Sequence, residues 1–161
     1  MPEKQRLSIL SPFTGSVSSL HEVPKNKFAI KMLGDGVAVK PSEGMVASPV
    51  KGEIIQSFPT KHAVTILTEA NVEIMIHVGI DTHLLEGRGF ELHVNEKDTV
   101  NAGDRLITFD LDLITKVLPS TLSMVVVVNS NEINEFIITD AQKVKRSHSK
   151  LMDLIVEKNK Q

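Results

Sequence analysis

From Val72 to Ile80 every second residue is aliphatic. Val72, Ile74, Ile76, Val78 and Ile80 make one row, and Glu73, Met75, His77, Gly79 and Asp81 make the other. A period of two is what a strand shows when one face lies in a core and the other is turned away from it. Short apolar runs broken by Gly, Pro, Asn and Ser recur along the rest of the chain about every eight to twelve residues, the rhythm of a β-sandwich or barrel. The expected fold is all-β, an antiparallel β-sandwich with one or two short helices. Candidate strands are 7–10, 15–20, 28–33, 37–40, 45–47, 52–58, 63–67, 72–78, 90–94, 105–109, 123–128 and 151–156. Residues 112–118 read as two turns of helix, with Asp110 as N-cap and Pro119 as a stop. The segment 132–138 fits helix or strand. The basic run 143–150 is expected as a solvated loop, with docking of an acidic partner as the weaker alternative.

One repeat is visible. Ser11-Pro12-Phe13-Thr14-Gly15-Ser16-Val17 recurs as Ser48-Pro49-Val50-Lys51-Gly52-Glu53-Ile54. In each, Pro fixes a turn entry, Gly relieves the backbone and a β-branched residue starts the next strand. Two such units suggest a duplicated, pseudosymmetric sandwich. Gly34-Asp35-Gly36 and Ala102-Gly103-Asp104 read as tight connections; neither has the Gly-rich entry to a helix that cradles phosphate.

Composition excludes several classes. Eighteen basic against 20 acidic residues leave no basic surface for nucleic acid. The absence of cysteine rules out disulfides, thiolate metal sites and thiol chemistry, and fits a reducing cytosol. The longest aliphatic run, 124–128, is too short to cross a bilayer, and the first six residues lack a signal-peptide core. A single cytoplasmic domain over 1–161 is expected, with no direct membrane insertion and a disordered tail at 1–6. With no Trp or Tyr, stacking on bases or sugars would fall to six Phe.

His77 sits on the non-core row of the central strand, with Gly79 beside it leaving the imidazole room and Asp81 four residues on. That is a setting for a nucleophile or ligand, and also what a half-exposed sheet-surface histidine looks like. His62 opens the preceding strand. If the two strands form a hairpin turning at Glu69-Ala70 with an even loop, His62 lies directly opposite His77 on one face. A three-residue loop would slip the register and put the rings on opposite faces. The even loop is the expectation. A facing histidine pair has three readings: a zinc site, an acid/base pair, or a phosphoryl acceptor with a helper. Zinc needs a third ligand. Asp81 can serve, but His77 has Gly79 where a His-x-His motif needs a second histidine. No Gly-x-Ser-x-Gly nucleophile elbow occurs. His21, His93 and His148 are taken as surface residues, and His83 is unassigned.

Glu73-Ile74-Met75-Ile76-His77-Val78-Gly79-Ile80-Asp81-Thr82, followed by Glu86-Gly87-Arg88-Gly89-Phe90, resembles the active-site signature of the glucose-type enzyme IIA component of the bacterial sugar phosphotransferase system. Gly34-Asp35-Gly36-Val37-Ala38-Val39-Lys40-Pro41, Thr60-Lys61-His62-Ala63, Phe109-Asp110-Leu111 and Ser120-Thr121-Leu122 resemble further blocks in the same order, and coverage runs from about Ile9 to Val156. The resemblance implies a phosphohistidine at His77, with His62 stabilising the phosphoryl group and Thr60 orienting His62. It implies transfer from phosphocarrier HPr to a cysteine of an enzyme IIB domain, with no metal and no cofactor. It also implies a partner-binding apron of Phe28, Met32, Leu33, Phe58 and Met75, edged by Asp81; the alternative for the first five is ordinary core packing. Departures are Asn71 where the signature has Gly, His83 where an aliphatic is expected, Met124 in place of Pro, and the polar, basic Lys25-Asn26-Lys27. The competing readings are a regulator whose target binding follows His77 phosphorylation, and a zinc hydrolase of the related duplicated sandwich type.

Overall fold

The computed structural model describes residues 3–22 and 34–157, and the expected strand at 28–33 falls outside them. Fourteen strands follow in order: β1 (Lys4–Leu10), β2 (Gly15–Ser18), β3 (Asp35–Pro41), β4 (Met45–Ala47), β5 (Gly52–Ser57), β6 (Ala63–Leu67), β7 (Glu73–His77), β8 (Phe90–Leu92), β9 (Thr99–Val100), β10 (Arg105–Phe109), β11 (Ser123–Val127), β12 (Glu135–Ile138), β13 (Lys143–Val144) and β14 (Lys150–Glu157). The helix α1 (Leu111–Val117) lies between β10 and β11. Its N-cap is Asp110, whose carboxylate accepts from the Leu113 N–H at 3.1 Å, the exchange that commonly stabilises a helix start by about 1 kcal/mol.

All pairings are antiparallel, in an eight-stranded sheet ordered β13-β2-β3-β11-β7-β6-β5-β9 and two three-stranded sheets, β1-β14-β12 and β4-β10-β8. Apolar side chains from all three meet in one core that includes Ile9, Val39, Ile54, Ile66, Ile74, Ile76, Leu106, Val125 and Leu154. The sandwich follows from the alternation, since the apolar rows of the three sheets bury one another in this core.

The repeat is a true structural duplication. Ser11 Oγ donates to the Phe13 carbonyl at 2.6 Å and Ser48 Oγ to the Val50 carbonyl at 2.7 Å. Both serines are buried. The units bond to each other reciprocally: the Leu10 N–H reaches the Pro49 carbonyl, and the Ala47 N–H reaches the Pro12 carbonyl, both at 3.0 Å. Each serine also closes a pair of backbone bonds with a distant loop, Ser11 with Ser147 and Ser149, Ser48 with Gly103 and Asp104. The order of the eight-stranded sheet is symmetric about the β11–β7 pairing, with β3 matching β6 and β2 matching β5.

Several expectations are corrected. Residues 4–6 belong to β1, paired with β14 through Lys4↔Glu157, so they are not a disordered tail. Of the two readings of 132–138 the strand holds, as β12 at Glu135–Ile138, after a 3-10 turn at Ser130–Glu132. The basic run is not wholly a loop, since it supplies β13 and opens β14. Asp35 and Gly36 lie in β3 rather than in a turn. The two-residue β9 carried too little alternation to be read.

The hairpin register is also not the one expected. Ala63 pairs with His77 and Leu67 with Glu73. The loop has three residues, closed by Thr68 N–H to the Val72 carbonyl and Asn71 N–H to the Thr68 carbonyl, with Asn71 at φ 62°. This is a type I turn followed by a left-handed residue. Asn is among the few non-glycine residues that adopt that conformation readily. Asn71→Gly is therefore expected to leave the urea midpoint nearly unchanged, while Asn71→Val lowers stability by about 1–3 kcal/mol.

Candidate functional site

The face of β7 opposite the main core carries Met75 and His77. His77 pairs laterally with Ala63 on one side and Met124 on the other. Met124 belongs to a second apolar cluster with Leu20, Ala38, Ile80 and Val126. Ile80 is thus not in the core row of Val72, Ile74, Ile76 and Val78. Gly79, at φ +73°, turns the chain and sends Ile80 to the opposite side. This glycine does not serve to clear space around the imidazole, as expected from its spacing. A Cβ there would sit 2.8 Å from Leu118 Cδ1 and 2.8 Å from Thr82 Oγ1.

Although the register is shifted, the two histidines meet. Their ring centroids are 4.7 Å apart at an interplanar angle of 83°, an edge-to-face contact. His62 lies in a bend just before β6, after Lys61 at φ 64°, so the pleat's alternation does not govern its side chain. Its carbonyl still accepts from the Val78 N–H at 2.9 Å. The expectation of adjacent rings holds, and the facing-pair reason for it does not.

Each ring is oriented through Nδ1. The His77 Nδ1 lies 3.0 Å from the Gly79 carbonyl, which can only accept. Nδ1 therefore carries the proton, and in the neutral ring the lone pair is on Nε2. The His62 Nδ1 lies 2.7 Å from Thr60 Oγ1. A hydroxyl can donate to Nδ1, which leaves an N–H at Nε2 of a neutral His62. His62 is buried, and Phe58 and Phe90 pack near it at centroid distances of 5.7 and 6.4 Å.

Burial disfavours the charged form of both rings. Desolvation is the first cause pushing His77 down to about 3, followed by the neighbouring His62 and opposed by the bond to Gly79. Desolvation also lowers His62, opposed by the backbone of Thr60 and reinforced by His83. His83 is exposed on the 3-10 turn Thr82–Leu85, and a positive charge there disfavours the charged form of both rings.

Residues 7–133 match the family model described as phosphoenolpyruvate-dependent sugar phosphotransferase system, EIIA 1. The chain belongs to this family. A Bacillus cereus protein called PTS system glucose-specific EIIA component is 51% identical over 124 residues, 77% of this chain and 75% of that protein. One of the same description from Halalkalibacterium halodurans is 42% identical over 149 residues, 92% of this chain and 86% of its own length. The solved structure of glucose permease IIA from Mycoplasma capricolum superposes with a TM-score of 0.86 at 36% identity, covering 92% of this chain and 96% of that one.

In this EIIA chain, the expected site residues divide into three groups. His77, His62 and Thr60 are brought together. Phe58 is half-buried beside His62, and Asp81 is exposed at φ 60°, where the 3-10 turn begins. Met75 is 7% exposed, the packed position that the alternative reading of the apron residues allows. Phe28, Met32 and Leu33 lie outside the described residues. Sequence reasoning missed Phe90, which packs on His62, and Ser123 and Thr82, which hold the peptide after His77. A lone serine opening the aliphatic stretch 123–127 was the signal for one of them. Among the described residues, no group of three or more His, Cys, Asp or Glu is placed to hold a metal ion.

The site generates a pH prediction. A histidine whose folded pKa lies below its unfolded value of about 6.5 binds fewer protons folded than unfolded between the two. Its contribution to stability is present above pH 6.5 and is lost as pH falls toward 3. The His77 ring nitrogens are expected not to titrate between pH 8 and pH 5 in nitrogen-15 NMR. His77→Gln is expected to reduce the loss of urea stability between those pH values.

Proposed function

We propose that this chain is a phosphocarrier of the bacterial sugar phosphotransferase system, working in the cytoplasm. On this reading His77 accepts a phosphoryl group from phospho-HPr and passes it to a cysteine of an enzyme IIB domain. The observation that carries the reading is the bond from His77 Nδ1–H to the Gly79 carbonyl, which assigns the lone pair to Nε2 with His62 edge-on beside it. Membership of the EIIA 1 family supplies the reaction class.

Phosphoryl transfer asks a protein for a positioned nucleophile and for stabilisation of the spreading charge. The Nε2 lone pair of His77 attacks phosphorus. A new N–P bond forms as the donor's N–P bond breaks, and that electron pair returns to the donor imidazole. The proton stays on Nδ1, donated to the Gly79 carbonyl, throughout. A neutral ring is required, because a protonated Nε2 has no pair to offer, and burial supplies that state. In the second transfer a cysteine thiolate attacks phosphorus and the N–P pair returns to Nε2. His62, with Thr60 donating to its Nδ1, directs an Nε2–H at a phosphoryl oxygen. Exposed Asp81 and half-buried Phe58 supply part of the surface that partners meet. Phe28, Met32 and Leu33 are assigned to the same surface by family resemblance.

Incubation with phosphoenolpyruvate, enzyme I and HPr is expected to place one acid-labile, base-stable phosphate on His77, and His77→Ala to abolish it. Phosphate mapped to His62 or to a serine would overturn the assignment.

The jobs of the two histidines should separate. His62→Gln is expected to accept phosphate from HPr but to deliver it to an enzyme IIB cysteine about a hundredfold more slowly, the cost of one oriented donor. His77→Gln should fail at both steps. Delivery by His62→Gln at the wild-type rate, in quenched single-turnover assays, would show that His77 works alone.

A further inference from the structure

The peptide unit joining Val78 to Gly79, one residue past His77, is held at both ends by buried hydroxyls. Its carbonyl accepts from Thr82 Oγ1, and its N–H donates to Ser123 Oγ at 3.1 Å. Thr82 is 1% exposed and Ser123 0%. The Ser123 proton goes to the Thr121 carbonyl at 3.0 Å, so its oxygen has a fixed polarity, donor to the chain before β11 and acceptor for Gly79. The next peptide unit, which carries the Gly79 carbonyl, is tied through the Ile80 N–H to the Ser120 carbonyl at 3.0 Å.

The local backbone explains why side chains do this work. The ladder between β7 and β11 ends at His77↔Met124, and Gly79 then leaves the sheet at φ +73°. Its buried N–H has lost the strand partner it would otherwise bond, and a buried N–H requires another acceptor. Ser123 faces the main core together with Val125 and Val127, where close packing needs no hydroxyl.

We infer that Ser123 and Thr82 are positioning residues for His77. By clamping the Val78–Gly79 peptide they aim the Gly79 carbonyl at Nδ1, and so hold the ring in the Nδ1–H tautomer. The tautomer of a neutral imidazole is selected by the hydrogen bond at one of its nitrogens. A carbonyl free to swing would leave a fraction of the molecules with the proton on Nε2, where it blocks attack. This deepens the phosphoryl-acceptor reading of His77 and rests on it only for the kinetic measurement below.

The test uses the full chain with nitrogen-15-labelled histidine. In the wild type the two His77 ring nitrogens should be well separated, with the proton on Nδ1. In Ser123→Ala they should converge as the tautomers exchange, and phosphoryl acceptance from phospho-HPr should fall about tenfold. Ser123→Thr, which keeps the hydroxyl, should restore both. Thr82→Val, nearly isosteric, should repeat the convergence, and decides the matter by itself if Ser123→Ala does not fold. Unchanged nitrogen shifts in the folded variants would overturn the inference even if the rate fell, because a merely structural role moves the rate alone. A wild-type chain that takes up no phosphate would sink the acceptor reading, while the nitrogen shifts still decide the clamp.

Discussion

The pairing of β7 with β11 joins the two halves of the eight-stranded sheet, and it ends at His77 opposite Met124. Nearly everything at the site follows from where that ladder stops. Up to His77 the strand is fixed by a main-core row of fully buried Ile74 and Ile76, each of which would cost about 2–5 kcal/mol to truncate to alanine. One residue past Val78 the chain turns through a left-handed glycine, and its polar groups must find partners outside the sheet. The Gly79 carbonyl finds the imidazole of His77, and its N–H finds Ser123. A rigid strand therefore delivers the histidine, and the strand's end supplies the group that sets its protonation.

The duplication gives this arrangement its place in the molecule. Two Ser-Pro turns exchange backbone bonds with each other, and each closes a similar loop, so the halves of the sandwich are held in fixed relation. The pseudosymmetric centre of the large sheet falls between β11 and β7. His77 and Met124 stand opposite each other across it, in two strands that are equivalent by fold. Duplication built the scaffold, but the chemistry departs from it, with an imidazole on one central strand and a thioether on the other.

What could be read from the residues was what local periodicity controls. The alternation of 72–78 placed the strand, its core face and the outward face of His77, because one buried row leaves no choice of side. The bounds of β4, β6 and β10 were legible for the same reason. The hairpin register was not, since it depends on whether Asn71 takes a left-handed conformation, which a single asparagine leaves open. Reading His62 as part of the regular pleat gave the right neighbour for the wrong reason; the bend after Lys61 lifts it out of that pattern. Residues 4–6 looked like a tail because their partner, the C-terminal end of β14, lies at the far end of the chain. Ser123 and Thr82 escaped notice because their work is done on backbone groups, which carry no sequence signal.

The electrostatics of the empty pair bear on its loaded state. Burial is the first cause that keeps both imidazoles neutral, and at His77 repulsion from His62, 4.7 Å away, adds to it. On the proposed reading a phosphoryl group on His77 replaces that repulsion with attraction. That attraction favours the protonated or strongly donating form of His62. On that reading burial keeps Nε2 without a proton before the first transfer, and the phosphoryl charge strengthens the donor for the second. Thr60 is suited to both states, since its hydroxyl can donate to a neutral Nδ1 and accept from a protonated one. On the proposed reading the partners of the two Nδ1 atoms suit the two roles, a nucleophile held in one tautomer and a donor able to change its proton.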